Sequence, residues 1–267
     1  MSFDPSLPFP KAQCTSFRPC FLVPCYNHGA QFAAALPALL SFHYHIFVSD
    51  DFSATETREI LREIAARYPG QITLLHHTVN QGKGGAVITA MREAGKRHFT
   101  HAIQLDADGQ HDLAYLPSLL AAAIENPTAL VSGHPIYDTS VPRSRFYARY
   151  LTHSFVWLET LSFKIKDSMC GFRVYPVAST LELLDRCRIG TRMDFDVEIM
   201  VRLFWGGVPV HFIPVKVVYP ENNCSHFHLL HDNLRIFWMH TRLSCMLPFH
   251  LFKSLVRRLR CASSGNL

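Results

Sequence analysis

The feature that most constrains this chain is a repeated pattern in which short apolar runs stop abruptly at acidic, amide or glycine residues, with helix-compatible stretches between them. Residues 20–24 (Cys-Phe-Leu-Val-Pro) form the first run and residues 45–48 (His-Ile-Phe-Val) the second. Further runs occupy 72–75, 101–105 and 129–132. A strand that is apolar at every position has both faces covered, the signature of a parallel sheet between helix layers. Strand and helix in alternation predict an α/β fold with a mostly parallel central sheet flanked by helices.

Composition sets outer limits. The chain has 267 residues, 48% of them apolar or aromatic and 18% charged, enough to bury a full core. Its formal charge of +5 is uneven. Lys253, Arg257, Arg258 and Arg260 supply most of it, so the body is near neutral, which argues against nucleic acid as a partner. Eight cysteines lie scattered without a C-x-x-C pair, the usage of a reduced, cytoplasmic environment. The opening Met-Ser-Phe-Asp-Pro lacks the basic and apolar parts of an export signal, and no run of 18 apolar residues occurs.

Polar residues recur where the strands end. Cys25-Tyr-Asn-His-Gly29 follows the first run, and a helix over 31–40 is expected after it. Asp50 and Asp51 follow the second, where Ser53 and Glu56 read as a capping box for a helix to residue 67. Asn80-Gln-Gly-Lys-Gly-Gly85 opens a helix to about residue 98, with glycines for close ligand approach and Lys83 for charge. In an open α/β sheet, ligands bind beyond the carboxyl ends of the strands.

The central stretch is Ile103-Gln-Leu-Asp-Ala-Asp-Gly-Gln-His111. Asp106 and Asp108, two apart, can reach one ion, Gln110 adds a neutral oxygen at the same spacing, and Gly109 lets the backbone turn. Hard oxygen ligands of this kind suit Mg²⁺ or Mn²⁺ bridging nucleotide phosphates. An EF-hand register from Asp106 fails, because Pro117 stands where a glutamate is required. No Walker A loop and no Gly-x-Gly-x-x-Gly after the first strand are present, which demotes P-loop and dinucleotide-binding readings.

The ordered set Val23-Pro-Cys-Tyr-Asn27, Val48-Ser-Asp-Asp-Phe-Ser53, Asn80-Gln-Gly-Lys-Gly-Gly-Ala86, Gln104-Leu-Asp-Ala-Asp-Gly-Gln-His111 and Asp167-Ser-Met-Cys-Gly-Phe-Arg173 resembles a family 2 glycosyltransferase of the GT-A fold. The group that includes the polyprenyl-phosphate sugar transferases is the nearest in pattern, over roughly residues 20–220. The resemblance implies a nucleotide-sugar donor contacted by Pro24, Tyr26, Asn27, Asp50, Asp51, Asn80, Lys83 and Asp106. It also implies that Asp106, Asp108 and Gln110 hold the divalent ion, and that the reaction inverts the sugar's configuration. At 133–134 the chain has Gly-His where close polyprenyl-phosphate relatives tend to carry Ser-Arg.

The second half concerns the acceptor. A helix over 146–163 carries Arg143, Arg145 and Arg149 at or before its start, read as contacts for an anionic acceptor or as a solvated basic face. Asp167, which opens the Gly171 turn, joins the catalytic candidates, and Arg173, which closes it, joins the acceptor contacts. Cys170 reads as a packing residue. Arg192-Met-Asp-Phe-Asp-Val-Glu198 begins a helix to residue 205 whose acids suit its first turn. A hydroxyl acceptor needs a base, whereas a phosphate is already ionised. Asp196 is the candidate base by analogy with the family, followed by Asp194 and Glu198. His226, His228 and His231 crowd together without a complete zinc pattern, and His226 is read as a donor or acceptor phosphate contact.

From 229 to 260 apolar and basic residues alternate at helical spacing, predicting one or two amphipathic helices that lie on an anionic membrane surface or on the domain itself. The expected organisation is an irregular lead-in over 1–18, a GT-A domain over 19–225, an amphipathic basic segment over 226–260 and a flexible tail over 261–267. The expected function is an inverting, metal-dependent glycosyltransferase acting on a lipid-linked or polyprenyl-phosphate acceptor at the cytoplasmic membrane face. The alternatives are a sugar nucleotidyltransferase and a silent sugar-nucleotide-binding scaffold.

Overall fold

The computed structural model describes residues 16–136, 143–216 and 229–264. The chain runs through β1 (Pro19–Cys25), α1 (Gly29–Leu40), β2 (His45–Asp50), α2 (Thr55–Arg67), β3 (Ile72–His76), α3 (Lys83–Lys96) and β4 (His101–Gln104). A single 3₁₀ turn at Leu113–Tyr115 leads into α4 (Leu116–Glu125), then β5 (Leu130–Ile136) and α5 (Arg143–Thr160). The remainder is β6 (Arg173–Pro176), α6 (Val177–Arg186), α7 (Phe195–Trp205), β7 (Val210–Lys216) and α8 (Leu229–Ser264).

Seven strands form one sheet in the order β3-β2-β1-β4-β6-β5-β7. All pairings are parallel except those of β6, which runs antiparallel to β4 and β5. The chain places β2 and β3 on one side of β1 and then returns to set β4 on the other. That reversal makes β1 and β4 a topological switch point, where the connections diverge and leave a crevice at the carboxyl ends.

The continuous apolar runs follow from burial on both sides of this sheet. Along β1, Cys20 and Leu22 join one core with α3, α6 and α7, while Phe21, Val23 and Cys25 join the other with α1, α2 and α4. Removing Leu22 or Phe21 from water alone contributes about 1.5–3 kcal/mol each.

Three local features go beyond or against the sequence reading. The Ser53–Glu56 capping box does not form, and the N-cap position is Ala54 without a side-chain cap. The Ser53 hydroxyl instead accepts from the Asn27 backbone N–H at 3.0 Å, and Asn27 Oδ1 accepts from Ala54 N at 2.8 Å, so these groups tie β1 to the β2–α2 turn. Residues 177–186, assigned no element from sequence, form α6 directly after β6. The late amphipathic stretch is one continuous helix that packs on α5 and α7.

Candidate active site

A cleft of about 360 Å³ opens at the switch point. Pro24, Tyr26, Asp51, Asn80 and Lys83 line one part of it, and Asp106, Asp108 and Gln110 another. The residues expected from sequence for donor and metal therefore face one space, except Asn27 and Asp50, which are not among its lining. Asp50 is fully buried, with Oδ1 accepting from Ser53 N at 3.0 Å and Oδ2 3.1 Å from His76 Nδ1. It shapes the turn that presents Asp51.

Asp51 organises the neighbouring loop. Its Oδ1 accepts from Gln81 N at 2.8 Å and lies 2.7 Å from His77 Nδ1, while Oδ2 accepts from Gly82 N at 2.7 Å. Asn80 Nδ2 donates to the Asp51 carbonyl at 3.1 Å. Arg192 closes the loop from the opposite side, donating to Asn80 Oδ1 at 2.7 Å and to the Asn80 carbonyl at 3.1 Å.

Lys83 stands at the first turn of α3 between two carboxylates, 2.9 Å from Asp106 Oδ1 and 2.8 Å from Asp196 Oδ2. Burial by itself would lower its pKa, but Asp106 and Asp196 outweigh it and hold the ammonium well above the usual lysine range. Burial likewise opposes ionisation of Asp106, yet Lys83, with His111 adding to it, keeps that carboxyl well below its ordinary value. His111 Nε2 lies 3.5 Å from Asp106 Oδ2, and its ring stacks on Phe172 at 5.2 Å. The turn before β6 must pass close by: a Cβ on Gly171 would lie 2.6 Å from Lys83 Nζ and 3.0 Å from Asp106 Oδ2.

The expected base has a different occupation. Asp196 is buried, holds Lys83, and accepts from Gln104 Nε2 at 2.9 Å. Glu198 is wholly buried between Arg202 at 2.7 Å, Arg242 at 2.5 Å and the Gly190 N–H at 2.8 Å. Asp167 is buried and receives Arg149 Nε at 2.6 Å together with the backbone N–H groups of Met169 and Cys170. Asp194 accepts from Arg192 N at 3.1 Å, and burial raises its pKa. All four carboxylates are engaged by cations, amides or backbone donors.

The arginines expected at an acceptor are similarly sorted. Arg173 is fully buried and donates to the carbonyls of Cys170, Ser168 and Asp196, each at 2.7 Å, so it braces the turn and touches no acceptor. Arg149 pairs with Asp167. The side chains of Arg143 and Arg145, and all of His226 and His228, lie outside the described residues. Cys170 is a packing residue, its thiol pushed up to about 12 by burial.

Several residues that line the cleft were not expected there from the sequence. Arg192 and Met193 precede α7, and Asp232 and Arg235 come from the first and second turns of α8. Their only sequence signal was charge beside an amphipathic pattern.

The donor set tests well for a hard divalent ion. Asp106 and Asp108 supply carboxylate oxygens and Gln110 an amide oxygen, all opening on one cleft, and Gly109 at φ +75° makes the turn between them. Gln110 N donates to Asp108 Oδ1 at 3.0 Å, which fixes the loop.

Comparison with known proteins follows this geometry. A profile described as "Glycosyl transferase family 2" matches residues 20–183, well over half the chain. The chain belongs to glycosyl transferase family 2. It is thus a glycosyltransferase by family rather than a sugar nucleotidyltransferase. A UDP-N-acetylglucosamine–dolichyl-phosphate N-acetylglucosaminyltransferase of Methanococcus voltae is 23% identical over 216 residues, covering 75% of this chain and 85% of that one. An undecaprenyl-phosphate mannosyltransferase of Micrococcus luteus is 26% identical over 206 residues, covering 75% and 83%. A mannosyltransferase from Pyrobaculum calidifontis, solved in complex with GDP-Man and Mn²⁺, superposes with a TM-score of 0.55 at 18% identity, covering 100% of this chain and 79% of that one. This family 2 chain has the GT-A fold.

Proposed function

We propose that this glycosyltransferase moves a sugar, with inversion, from a nucleoside-diphosphate donor to the phosphate of a polyprenyl lipid at a membrane surface. The observation that carries the reading is the single cleft in which Asp106, Asp108 and Gln110 face Pro24, Tyr26 and Asp51. A nucleoside fits against Pro24 and Tyr26, with its diphosphate directed toward the two aspartates. Asp106, Asp108 and Gln110 would hold Mg²⁺ or Mn²⁺, and the ion would supply positive charge for a departing diphosphate.

The engagement of Asp167, Asp194, Asp196 and Glu198 supports a phosphate acceptor. A direct displacement by an ionised phosphate oxygen needs no proton removed, so no unengaged carboxylate is required. The names of two relatives, a dolichyl-phosphate and an undecaprenyl-phosphate transferase, point the same way.

Membrane attachment is supported by a surface built from two packed helices. On α8, Leu234, Phe237, Trp238, Phe249 and Phe252 are exposed, and on and just after α5 so are Leu151, Leu158, Leu161 and Phe163. Phe163 is 82% exposed, and Lys164 and Lys166 follow it at the surface. Aromatic and basic side chains together suit an anionic interface. Among the described residues no helix is long and apolar enough to cross a membrane. In this reading the exposed apolar and basic side chains of α5 and α8 attach the enzyme to the surface of the membrane, on its cytoplasmic face.

The test is product formation from UDP-, GDP- and dTDP-sugars with Mn²⁺, offering vesicles that contain a polyprenyl phosphate or the matching polyprenol. A glycolipid formed only with the phosphate supports the reading. Equal transfer to the alcohol contradicts the phosphate acceptor.

A further inference from the structure

The cleft is not closed by the βα units alone: α8, more than 120 residues beyond Asp106 in sequence, contributes Asp232 and Arg235 to its lining. The cations that reach this space differ in how they are used. Lys83 lies between Asp106 and Asp196. Arg192 is spent on the side chain and carbonyl of Asn80, which fixes it as a brace. Arg235 has a side chain 45% exposed and makes a 3.4 Å contact with Asp232, three residues before it on the same helix. Asp232 is itself buried, so only the arginine end of the pair meets solvent; the 3.4 Å separation and i,i+3 spacing make it a loose hold on a guanidinium that a closer, multiply charged anion can displace.

The helix that carries Arg235 is firmly seated. Met239 and Leu243 are buried in the core. His240 Nδ1 lies 2.8 Å from Glu159 Oε1 on α5, and Arg242 donates to Glu198 on α7 at 2.5 Å. A long side chain projecting from a fixed helix loses less freedom when it binds than one on a loop.

We infer that Arg235 is a contact for the donor's diphosphate, supplying positive charge to the cleft from α8 in addition to the ion at Asp106 and Asp108. This rests on the donor reading above. As the sugar is transferred, the departing nucleoside diphosphate gains negative charge beyond what one divalent ion neutralises. A planar guanidinium, with donors spaced for two phosphate oxygens, suits the remainder. The pairing with Asp232 then keeps Arg235 oriented while the cleft is empty and yields when the diphosphate enters.

The experiment is calorimetric titration of the full chain with UDP, GDP and dTDP in the presence of Mn²⁺, and with the corresponding nucleosides. Wild type is compared with Arg235→Ala and Arg235→Lys, and circular dichroism confirms unchanged helix content. Loss of a charge-assisted hydrogen bond predicts a Kd for the preferred diphosphate raised about 10- to 100-fold in Arg235→Ala. Arg235→Lys falls between, and nucleoside affinity stays the same. An unchanged diphosphate Kd in Arg235→Ala overturns the inference and leaves Arg235 as a helical partner of Asp232. So does an equal loss for diphosphate and nucleoside. If the wild type binds none of the three diphosphates, the donor reading itself falls.

Discussion

Lys83 Nζ lies 2.8 Å from Asp196 Oδ2, so the residue expected to act as a base is bound instead to the lysine that partners Asp106. Asp196 belongs to α7 and Asp106 to the end of β4, and Lys83 joins them across the cleft floor. The consequence is a chain of positioning: α7 holds Lys83, and Lys83 holds the Asp106 carboxylate proposed as a metal ligand.

Asp196→Asn keeps the shape and the hydrogen bond from Gln104 while removing the negative charge that faces Lys83. A positioning role predicts a raised KM for the donor and weaker Mn²⁺ dependence, with the pH profile of kcat unchanged in form. A general base predicts a kcat loss of about 10²–10⁴-fold and disappearance of the acid limb. Steady-state kinetics from pH 5 to 9 separates the two.

Glu198 gives a stability prediction. It is fully buried and neutralises Arg202, itself buried, as well as Arg242. Breaking a buried pair by removing one partner costs about 3–5 kcal/mol, because the other charge stays buried and unpaired. Glu198→Ala should lose that much in urea denaturation and loosen α8 from α7. A loss below about 1 kcal/mol would mean that the pairs contribute little.

Gly171→Ala should act locally. The added methyl meets Lys83 Nζ and Asp106 Oδ2. Overpacking costs about 1–3 kcal/mol, and the lysine must shift to relieve it. The expected result is a modest fall in Tm with a larger fall in Mn²⁺-dependent turnover. Turnover equal to wild type would show that the turn gives way without disturbing the site.

Acid sensitivity follows from buried imidazoles. Burial lowers the pKa of His101 below 6.5 in the fold, opposed by its hydrogen bond to the Pro127 carbonyl. Unfolded, the group titrates at 6.5, so the unfolded chain binds the proton more readily. Stability present above that value is therefore lost as pH falls from it toward the folded pKa, at up to about 1.4 kcal/mol per pH unit for one histidine. His45, His134 and His153 are lowered in the same sense, also chiefly by burial. Glu159 and Asp194, raised by burial, run the other way, so the readout is the difference between wild type and His101→Gln. The variant should have the shallower slope below pH 6.5, and an identical slope would contradict this assignment.

The sheet was legible because its strands are buried on both faces, which forces continuous apolar runs, and because polar residues gather where those runs stop. The same logic brought Pro24, Tyr26, Asp51, Lys83, Asp106 and Asp108 to one cleft. Pattern does not report which partner a charged group selects once folded. Ser53 looked like a cap until Asn27 took its hydroxyl, and Arg173 looked like an acceptor contact until three carbonyls enclosed it. The antiparallel direction of β6 and the approach of Asp232 and Arg235 depend on long-range return of the chain, which leaves no local trace.

The proposed role of Asp106, Asp108 and Gln110 is to bind the donor diphosphate through a divalent ion. Its most direct test is titration of Mn²⁺ with the preferred nucleoside diphosphate, for wild type and Asp108→Ala, with and without EDTA. The account predicts metal-dependent binding in the wild type that EDTA abolishes and Asp108→Ala weakens at least tenfold. Equal nucleotide affinity in both proteins, indifferent to EDTA, would contradict it.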